Sequence, residues 1–268
     1  NFPKIWTKHD ISFSSNIDLK LRAEAEEEYF QTNLSHEEKA IFQLLFKLLP
    51  TCYLEDFNYL YQYIENIKWP KKPSFIFTSN SFQYDEVFKL WLASKKKHGI
   101  KYIVGQHGNN YGTSYLSPFI EEETSDKFIT WGWDKNEKKY ICGFILKNIN
   151  FKRSKNSNDI ILQQICYLPR VQSYDEYYEY YNHKDAMLGF VSQIDKKVKK
   201  NILIRLHSFS EVYKKDDFNY WKNFDPDLRI DKGYSSTKKL YKNARLVVHC
   251  YDSTGILETL SSNIPTLA

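Results

Sequence analysis

The sequence lacks the short motifs that identify several common nucleotide-binding and hydrolytic folds. It holds only nine glycines among 268 residues, and neither GxGxxG nor GxxxxGK[ST] occurs. The chain is therefore not a standard dinucleotide-binding protein or a P-loop NTPase. The GxSxG turn that carries the serine of α/β-hydrolases is also missing, which excludes that class of hydrolase.

Metal-binding patterns are absent as well. The four cysteines lie far apart without a CxxC pair, a usage typical of proteins from a reducing compartment. The spacing between His107, His207 and His249 does not match a metal-ligand pattern. Residues 225–227 read Asp-Pro-Asp, and we do not interpret them as a metal-binding DxD motif. We therefore expect no metal and no bound cofactor.

No apolar run approaches the roughly 18–20 residues of a membrane-spanning helix, and the chain does not start with a signal peptide. Its net charge of +5 comes mainly from scattered lysines, with basic runs at 95–97 and 196–200. These runs are typical of solvated surface, and a nucleic-acid or anionic-membrane patch is the alternative. Since the chain has no known RNA- or DNA-binding motif, we expect no nucleic-acid partner. From the cysteine usage we expect a cytoplasmic protein, and peripheral association with the inner membrane face stays open. Because the chain begins with Asn1 rather than Met and ends in what reads as the start of a strand, we expect an internal fragment of a longer protein, cut at both ends, with the second domain truncated at the C-terminus.

Strands and helices alternate from residue 74 onward. The predicted strands are 74–78, 101–104, 128–131, 160–167, 202–206 and 246–249, and the predicted helices are 16–50, 53–67, 83–97, 134–140, 174–198, 236–243 and 254–261. Such alternation predicts an α/β fold with parallel sheets. A polar stretch at 147–158 divides it into two halves, so the expected parts are a helical segment 1–70, a domain 71–150 and a domain 151–268.

In open α/β sheets, ligands bind beyond the carboxyl ends of the strands, so the residues that follow each strand are the candidate site. Asp252, Ser253, Thr254 and Gly255 follow the strand at 246–249 and open a helix, whose first turn attracts anions. Glu258 lies one turn further on, where it can accept hydrogen bonds from a ribose or a sugar. The alternative is that Asp252 or Ser253 only caps the helix.

Arg205 and His207 end the preceding strand, two residues apart, and therefore face the same side of the sheet. A guanidinium binds phosphate in a bidentate manner, and an imidazole donates to phosphate or stabilises a leaving group. Together with the helix start at 253–255, this pair predicts a diphosphate or nucleotide site.

The stretch GQHGNNYG at 105–112 follows the strand at 101–104. Its candidate residues for contact with an acceptor are Gly105, Gln106, Gly108, Asn109 and Gly112. His107 is the candidate general base, since histidine titrates near neutral pH. Read alone, however, the stretch is also explained as a simple turn.

The acidic run 121–123 and the nearby Asp126 offer carboxylates that could orient His107, and Glu122 and Asp126 are the candidates for this assisting role. The alternative for the run is a solvated loop.

Three segments, GQHGNNYG, SDKFITWGW (125–133) and YDSTGILETLSSNIPT (251–266), resemble a bacterial family of transferases for surface-carbohydrate biosynthesis. That family has a GQHG loop, a D-x-x-x-x-W-G-W motif and a D-S-T-G-x-x-E-T-L segment in this order. The match runs from about residue 75 to the end. The segment 205–208 is also similar to the His-Pro element of sialyl-, Kdo- and glycerophosphate-transferring enzymes, with serine in place of proline.

The resemblance implies a GT-B-like protein with two Rossmann-like halves. It implies metal-independent transfer of a sugar from a nucleotide-sugar donor to a surface polysaccharide, glycan or lipid-linked precursor in the cleft between them. The alternatives are a glycerophosphotransferase, an NDP-sugar epimerase, or a carbohydrate- or nucleotide-binding module without activity.

Overall fold

The computed structural model describes residues 9–14, 16–29, 34–109, 111, 119–145, 154, 157–166, 176–213 and 215–268, with the backbone alone at 29 and 176–181. The fold is α/β with parallel sheets, as the alternation predicts. Contacts divide the chain into two compact units. The first holds residues 1–107, 120–129 and 136–141, and the second holds 108–119, 130–135 and 142–268.

The first sheet has the strand order β1-β2-β3-β4. Its strands are β1 (Phe75–Thr78), β2 (Lys101–Gly105), β3 (Lys127–Thr130) and β4 (Tyr140–Cys142). β1 and β2 are parallel, and so are β2 and β3. One face of β1 is buried through Ile76 and Thr78, whereas Phe75 and Phe77 on the other face are about half exposed.

The described part of the first unit holds six helices and one short 3-10 turn at Thr51–Tyr53. The helices are α1 (Leu19–Tyr29), α2 (His36–Leu48), α3 (Phe57–Asn66), α4 (Ser81–Tyr84), α5 (Glu86–Lys96) and α6 (Ile120–Thr124). α2 begins with a capping box, in which the Ser35 hydroxyl accepts from the Glu38 amide while the Glu38 carboxylate accepts from the Ser35 amide. α5 packs against α3 and β2 and buries Val87 and Trp91.

The N-terminal helices are held by a buried ion pair. The Arg22 side chain of α1 donates to the Glu55 carboxylate at 2.7 Å and to the carbonyl oxygens of residues 46, 47 and 49 at the end of α2. This hydrogen bonding holds the pKa of Glu55 at about 2. One guanidinium thus satisfies several carbonyls that the last turn of a helix leaves unpaired.

The second sheet is fully parallel, with the order β7-β6-β5-β8-β9. Its strands are β5 (Asp159–Gln163), β6 (Ile202–Arg205), β7 (Arg229–Asp231), β8 (Ala244–His249) and β9 (Thr266–Leu267). The order reverses at β5, since β6 and β7 follow on one side of it and β8 and β9 on the other.

The helices of the second unit are α7 (Glu176–Gln193), α8 (Lys196–Lys199), α9 (Phe209–Val212), α10 (Asp217–Phe224), α11 (Thr237–Asn243) and α12 (Thr254–Ser261). They cover both faces of the second sheet. Leu162 of β5 packs with Met187 of α7 and Trp221 of α10, whereas Ile161 of β5 packs with Tyr241 of α11. Burial on both faces explains why the central strands are almost continuously apolar.

Several predicted elements are corrected by the structure. Residues 134–140 form turns that lead into β4 rather than a helix. The helix predicted over 16–50 is two helices, α1 and α2, and β5 ends at Gln163, not at Tyr167. The sequence analysis does not predict four elements of three to five residues, or the 3-10 turn at Thr51–Tyr53, or the eight-residue α10; the four short elements are α6, α9, β4 and β7. The strand start expected near the end of the chain is confirmed as β9.

Within the described ranges, no helix is both long enough and apolar enough to cross a membrane.

Candidate functional site

Four polar residues form a row across the carboxyl edge of the second sheet. In the strand register, Arg205 of β6 lies between Asp231 of β7 and Gln163 of β5, and Gln163 is in turn paired with His249 of β8. Each of these residues is the last of its strand. Ligands of open α/β sheets bind at this edge, near the point where the strand order reverses, so the row defines the candidate site.

Arg205 is held in place by an ion pair. Its Nη1 donates to Asp231 Oδ1 at 2.9 Å, and both side chains are largely buried. The Gly233 amide donates to the same carboxylate oxygen at 2.8 Å. Asp231 therefore fixes the guanidinium at the strand end and offsets part of its positive charge.

Gly233 brings the loop after β7 against the turn after β6. Its φ is +92°, and a Cβ built on it would lie 2.6 Å from the Ser208 amide nitrogen and 2.9 Å from the His207 carbonyl carbon. Neither the dihedral angle nor the space admits a side chain without movement. The glycine thus sets where His207 and Ser208 lie.

His207 is a neutral hydrogen-bond donor in this arrangement. Its Nδ1 accepts from the Phe209 amide at 3.2 Å, which places the ring proton on Nε2. Burial lowers the pKa of His207, and the neighbouring positive charge of Arg205 lowers it further. At neutral pH the imidazole therefore offers an uncharged Nε2–H group.

A buried network of hydrogen bonds stabilises the turn that carries His207. The Ser210 amide donates to the His207 carbonyl at 3.0 Å, and the Ser210 hydroxyl donates to Asp217 at 2.8 Å. Lys184 of α7 donates to the other oxygen of Asp217 at 2.9 Å, and Asp217 is fully buried. A buried carboxylate that is paired and hydrogen-bonded in this way fixes the geometry of its neighbours.

The start of α12 lies at the end of β8. Ser253 occupies the N-cap position, but its side chain makes no capping hydrogen bond. Its hydroxyl lies 3.4 Å from His249 Nδ1 instead. The backbone amides in the first turn of this eight-residue helix therefore do not receive the capping hydrogen bond that an N-cap side chain normally accepts.

His249 packs beneath this first turn. It is 4% exposed, and burial lowers its pKa to about 4. Its Nε2 lies 3.3 Å from the Thr259 hydroxyl, and a Cβ on Gly255 would lie 2.8 Å from its Cε1. Gly255 thus lets the backbone of α12 approach a neutral imidazole.

Gln163 links the row to α11. Its Oε1 accepts from the Tyr241 hydroxyl at 2.9 Å. Burial raises the pKa of Tyr241, and the charge of Glu258 adds to this effect while Arg205 opposes it. Glu258 and Arg205 are therefore both close enough to Tyr241 to act on it electrostatically.

Part of the GQHG segment contacts the start of α12 within the second unit. The Asn109 side-chain amide donates to Asp252, and a Cβ on Gly108 would lie 3.1 Å from Thr254 Oγ1. Two motifs that are more than 140 residues apart in sequence are thus brought together.

The residues before Gly108 belong to the first unit. Gly105 ends β2, Gln106 is buried and its amide donates to the Ile129 carbonyl at 2.8 Å, and His107 is half-buried. Gln106 thus extends the pairing of β2 with β3. Gly112 lies outside the described residues.

The structure does not bring Asp126 to His107. Asp126 precedes β3 at the amino end of the sheet, where it accepts from Lys96 Nζ and the Tyr102 amide, both at 2.7 Å. These contacts lower its pKa against the effect of burial. His107 is five residues beyond Tyr102, past the other end of β2, a separation of roughly 16 Å along a strand.

Glu122 is fully buried in α6 and accepts from the Tyr140 hydroxyl of β4 at 3.0 Å. The solvated-loop alternative is therefore wrong for Glu121 and Glu122, which are both buried. The described contacts of Glu122 anchor a strand, and a role in orienting His107 stays a prediction.

Sequence reasoning missed Gln163, Asp231 and Tyr241 as residues of the site. Gln163 was hidden because the apolar pattern continues through Ile165 and Cys166, which placed the end of β5 four residues too late. Asp231 was missed because β7 has three residues, two of them charged. Tyr241 lies on a helix and carries no strand-end signal.

Metal-ligand geometry is not found in the described ranges, where no group of three or more His, Cys, Asp or Glu side chains could hold an ion.

Comparison with known proteins identifies one family. A family model described as LIC12162 family transferase matches residues 1–268, the whole of this chain. No curated protein matches. Among solved structures, the chain is similar to the crystal structure of the glycotransferase of kitacinnamycin, with a TM-score of 0.42 and 11% identity. That alignment covers 78% of this chain and 60% of the other, and so weak a likeness shows neither fold nor function.

We predict that Gly233→Ala destabilises the second unit more than Gly132→Ala. Both glycines have positive φ, +92° and +102°, but a Cβ at 132 meets nothing within 4 Å. Gly132→Ala should therefore cost about 1 kcal/mol for backbone strain alone. Gly233→Ala should cost roughly 2 kcal/mol more because Ser208 must move. Urea unfolding of the two variants measures the difference, and equal costs would show that the close approach at Ser208 is not tight.

We predict that His249 lowers stability in acid. Its folded pKa of about 4 is below the 6.5 of an exposed histidine, so the unfolded chain binds the proton more readily. The free energy of unfolding should fall from about pH 6.5 down to about pH 4, by up to roughly 3 kcal/mol from this residue. Unfolding of the wild type and His249→Gln across this range tests it. The slope should be shallower in the variant, whatever its stability at neutral pH, and identical slopes would contradict the prediction.

Proposed function

The chain belongs to the LIC12162 transferase family, and from this membership we propose that it transfers a sugar from a nucleotide-activated donor to a surface polysaccharide or a lipid-linked precursor. The observation that carries the proposal is the row of strand-end residues that meets the open first turn of α12. An arginine, a neutral imidazole and a helix N-terminus are suited to the phosphates of such a donor.

We propose a GT-B-like arrangement of two Rossmann-like halves, with residues 151–268 as the donor domain and residues 71–150, with 1–70 packed on them, as the acceptor side. The order β7-β6-β5-β8-β9 supports the donor half. Counted from β5, it is 3-2-1-4-5, the order of the first five strands of the Rossmann fold.

In the proposed reaction, Arg205 and His207 bind the phosphate that leaves with the nucleotide. The guanidinium attracts the negative charge that develops there, and the His207 Nε2–H group donates a hydrogen bond to it. Asp231 and the buried Ser210–Asp217–Lys184 network hold both groups in position before the donor arrives. Preorganised donors of this kind stabilise a transition state without reorganising during the reaction.

The start of α12 would bind the remaining phosphate oxygens. The Ser253 hydroxyl is free of a capping bond, and Thr254 and the first amides of the helix add donors beside it. Gly255 lets the ligand approach the backbone. Glu258, one turn further along, would accept hydrogen bonds from ribose or sugar hydroxyls. Because these groups and Arg205 supply the positive potential, the proposal requires no metal.

His107 is the proposed general base that removes the proton from the acceptor hydroxyl. It directly precedes Gly108, whose neighbour Asn109 hydrogen-bonds Asp252 beside the proposed phosphate site. This chain connection supports a role for His107 close to the donor. We propose a cytoplasmic location, with peripheral association at the inner membrane face when the acceptor is lipid-linked.

We predict that Ser253→Ala combined with Thr254→Ala weakens nucleotide binding about tenfold, because two hydroxyl donors are lost at roughly 0.5–1.5 kcal/mol each. Stability should change little, since Ser253 makes no capping bond. Calorimetric titration with UDP, CMP and CDP measures the affinity. Ser261→Ala, in the last turn of α12, is the matched control and should bind like the wild type. Unchanged affinity in the double variant would argue against the phosphate site.

We predict that His107→Ala lowers the transfer rate by about 10²- to 10⁴-fold while the affinity for the nucleotide stays near the wild-type value. The exposed His98→Ala serves as the control and should be fully active. Product analysis with UDP-, CMP- and CDP-linked donors supplies the rate, and it separates sugar transfer from glycerophosphate transfer and from epimerisation. Equal loss of rate and affinity would remove His107 from the role of base.

A further inference from the structure

A cavity lies in the first unit, and its described lining includes none of the residues assigned to transfer. It has a volume of about 720 Å³ and opens between α5 and α6, with α4 at one end. Its apolar and aromatic lining includes Leu92 and Ala93 of α5, Ile120 of α6, and Phe82 and Tyr84 of α4. This volume is within the range of small-molecule binding sites.

One residue that lines the cavity carries a buried hydroxyl without a hydrogen-bond partner. Tyr102 of β2 is 2% exposed, and its Oη makes no hydrogen bond to any described residue. Leaving such a group unpaired costs about 1–3 kcal/mol, so an unpaired hydroxyl on a residue beside a cavity calls for an explanation.

A buried carboxylate lines the same cavity. Glu121 of α6 is 5% exposed, and its charge adds to the effect of burial in raising the pKa of Tyr102. The two side chains are thus close, yet Tyr102 does not donate to Glu121. A ligand hydroxyl fits between such groups, because it accepts from a tyrosine and donates to a carboxylate at the same time.

The two lysines that line the cavity are each paired with a carboxylate. Lys89 is paired with Glu86 and Lys96 with Asp126, each at 2.7 Å. The two lysines therefore leave no uncompensated positive charge for a phosphate or an anionic lipid headgroup. A neutral ligand fits this cavity better than an anionic one.

We propose that this cavity is a saccharide-binding subsite, in which a sugar hydroxyl bridges Tyr102 and Glu121. The ring's apolar face would pack on the wall formed by Phe82, Leu92 and Ile120, and the side chains of Gln83 and Thr124 add polar partners. Sugars present this combination of an apolar face and hydroxyls that both donate and accept. A hydrocarbon chain would leave the Tyr102 hydroxyl unpaired.

The subsite is separate from the proposed transfer chemistry. Tyr102 is the second residue of β2, at the amino end of the strand, whereas His107 follows its carboxyl end. The inference uses none of the residues assigned to the donor or the base. It does not rest on the proposed function.

The experiment uses the full chain with p-nitrophenyl β-D-glucopyranoside as the probe, measured by saturation-transfer NMR and calorimetry. 4-Nitroanisole, which has a similar ring but no sugar, is the apolar comparison. Ala93→Trp should abolish binding of the glucoside, because Ala93 is exposed at the cavity wall and a large ring there fills the space. Lys97→Trp, one helical turn away and outside the cavity, is the matched control and should bind normally.

Tyr102→Phe isolates the hydroxyl. It should weaken binding of the glucoside about fivefold without lowering the thermal midpoint, since no protein partner is lost. Failure of the glucoside to bind, equal binding of 4-nitroanisole, or unchanged affinity in Tyr102→Phe and Ala93→Trp would each overturn the proposal. UDP, CMP and CDP are titrated into the same variants. Their binding should be unaffected, so the subsite and the proposed transfer function succeed or fail separately.

Discussion

The parallel pairing of β5 with β6 on one side and β8 on the other is the constraint on which the candidate site depends. It sets Gln163 level with Arg205 and with His249, so three chemically different side chains end their strands at one edge. The apolar residues that precede them, such as Ile161 and Leu162, are buried on opposite faces. Shifting the register by one residue would exchange these faces, and the core therefore fixes the position of the polar row as well.

The polar row is in turn stabilised by groups that have no direct place in the proposed chemistry. Asp231 holds Arg205, Gly233 fits only without a side chain against Ser208, and the Lys184–Asp217 pair lies beneath Ser210. Burying charges in this way adds little to net stability, because desolvation offsets their attraction. What these buried groups contribute is geometry, because they hold Arg205 and the turn at His207 in one defined conformation.

The sequence was sufficient for the overall class of the fold and for the positions of Arg205 and Ser253 at or after strand ends, whereas the roles of these residues stay predictions. Alternating patterns predict an α/β protein, and residues after strands are found where open α/β sheets place ligands, as with Arg205 and Ser253. The failures have local causes. β7 is too short to be detected, and β5 stops within a continuing apolar run. In the segment 134–140, Asn136 has a φ of +59°, which a right-handed α-helix does not allow. Asp126 was misjudged because sequence proximity to a loop does not tell which end of the strand a residue occupies.

The ion pair of Arg205 with Asp231 has a consequence for selectivity. Since the guanidinium already holds an anion, a phosphate that reaches it exchanges with, or shares, an existing partner instead of occupying an empty positive site. The gain on binding is then the difference between two similar attractions, so charge alone discriminates poorly between anions. Shape and hydrogen bonding around Gln163, Tyr241 and the first turn of α12 must carry the choice. If the proposed phosphate binds there, Asp231 acts as the anion it displaces, and the site is an anion exchanger whose selectivity is set by geometry.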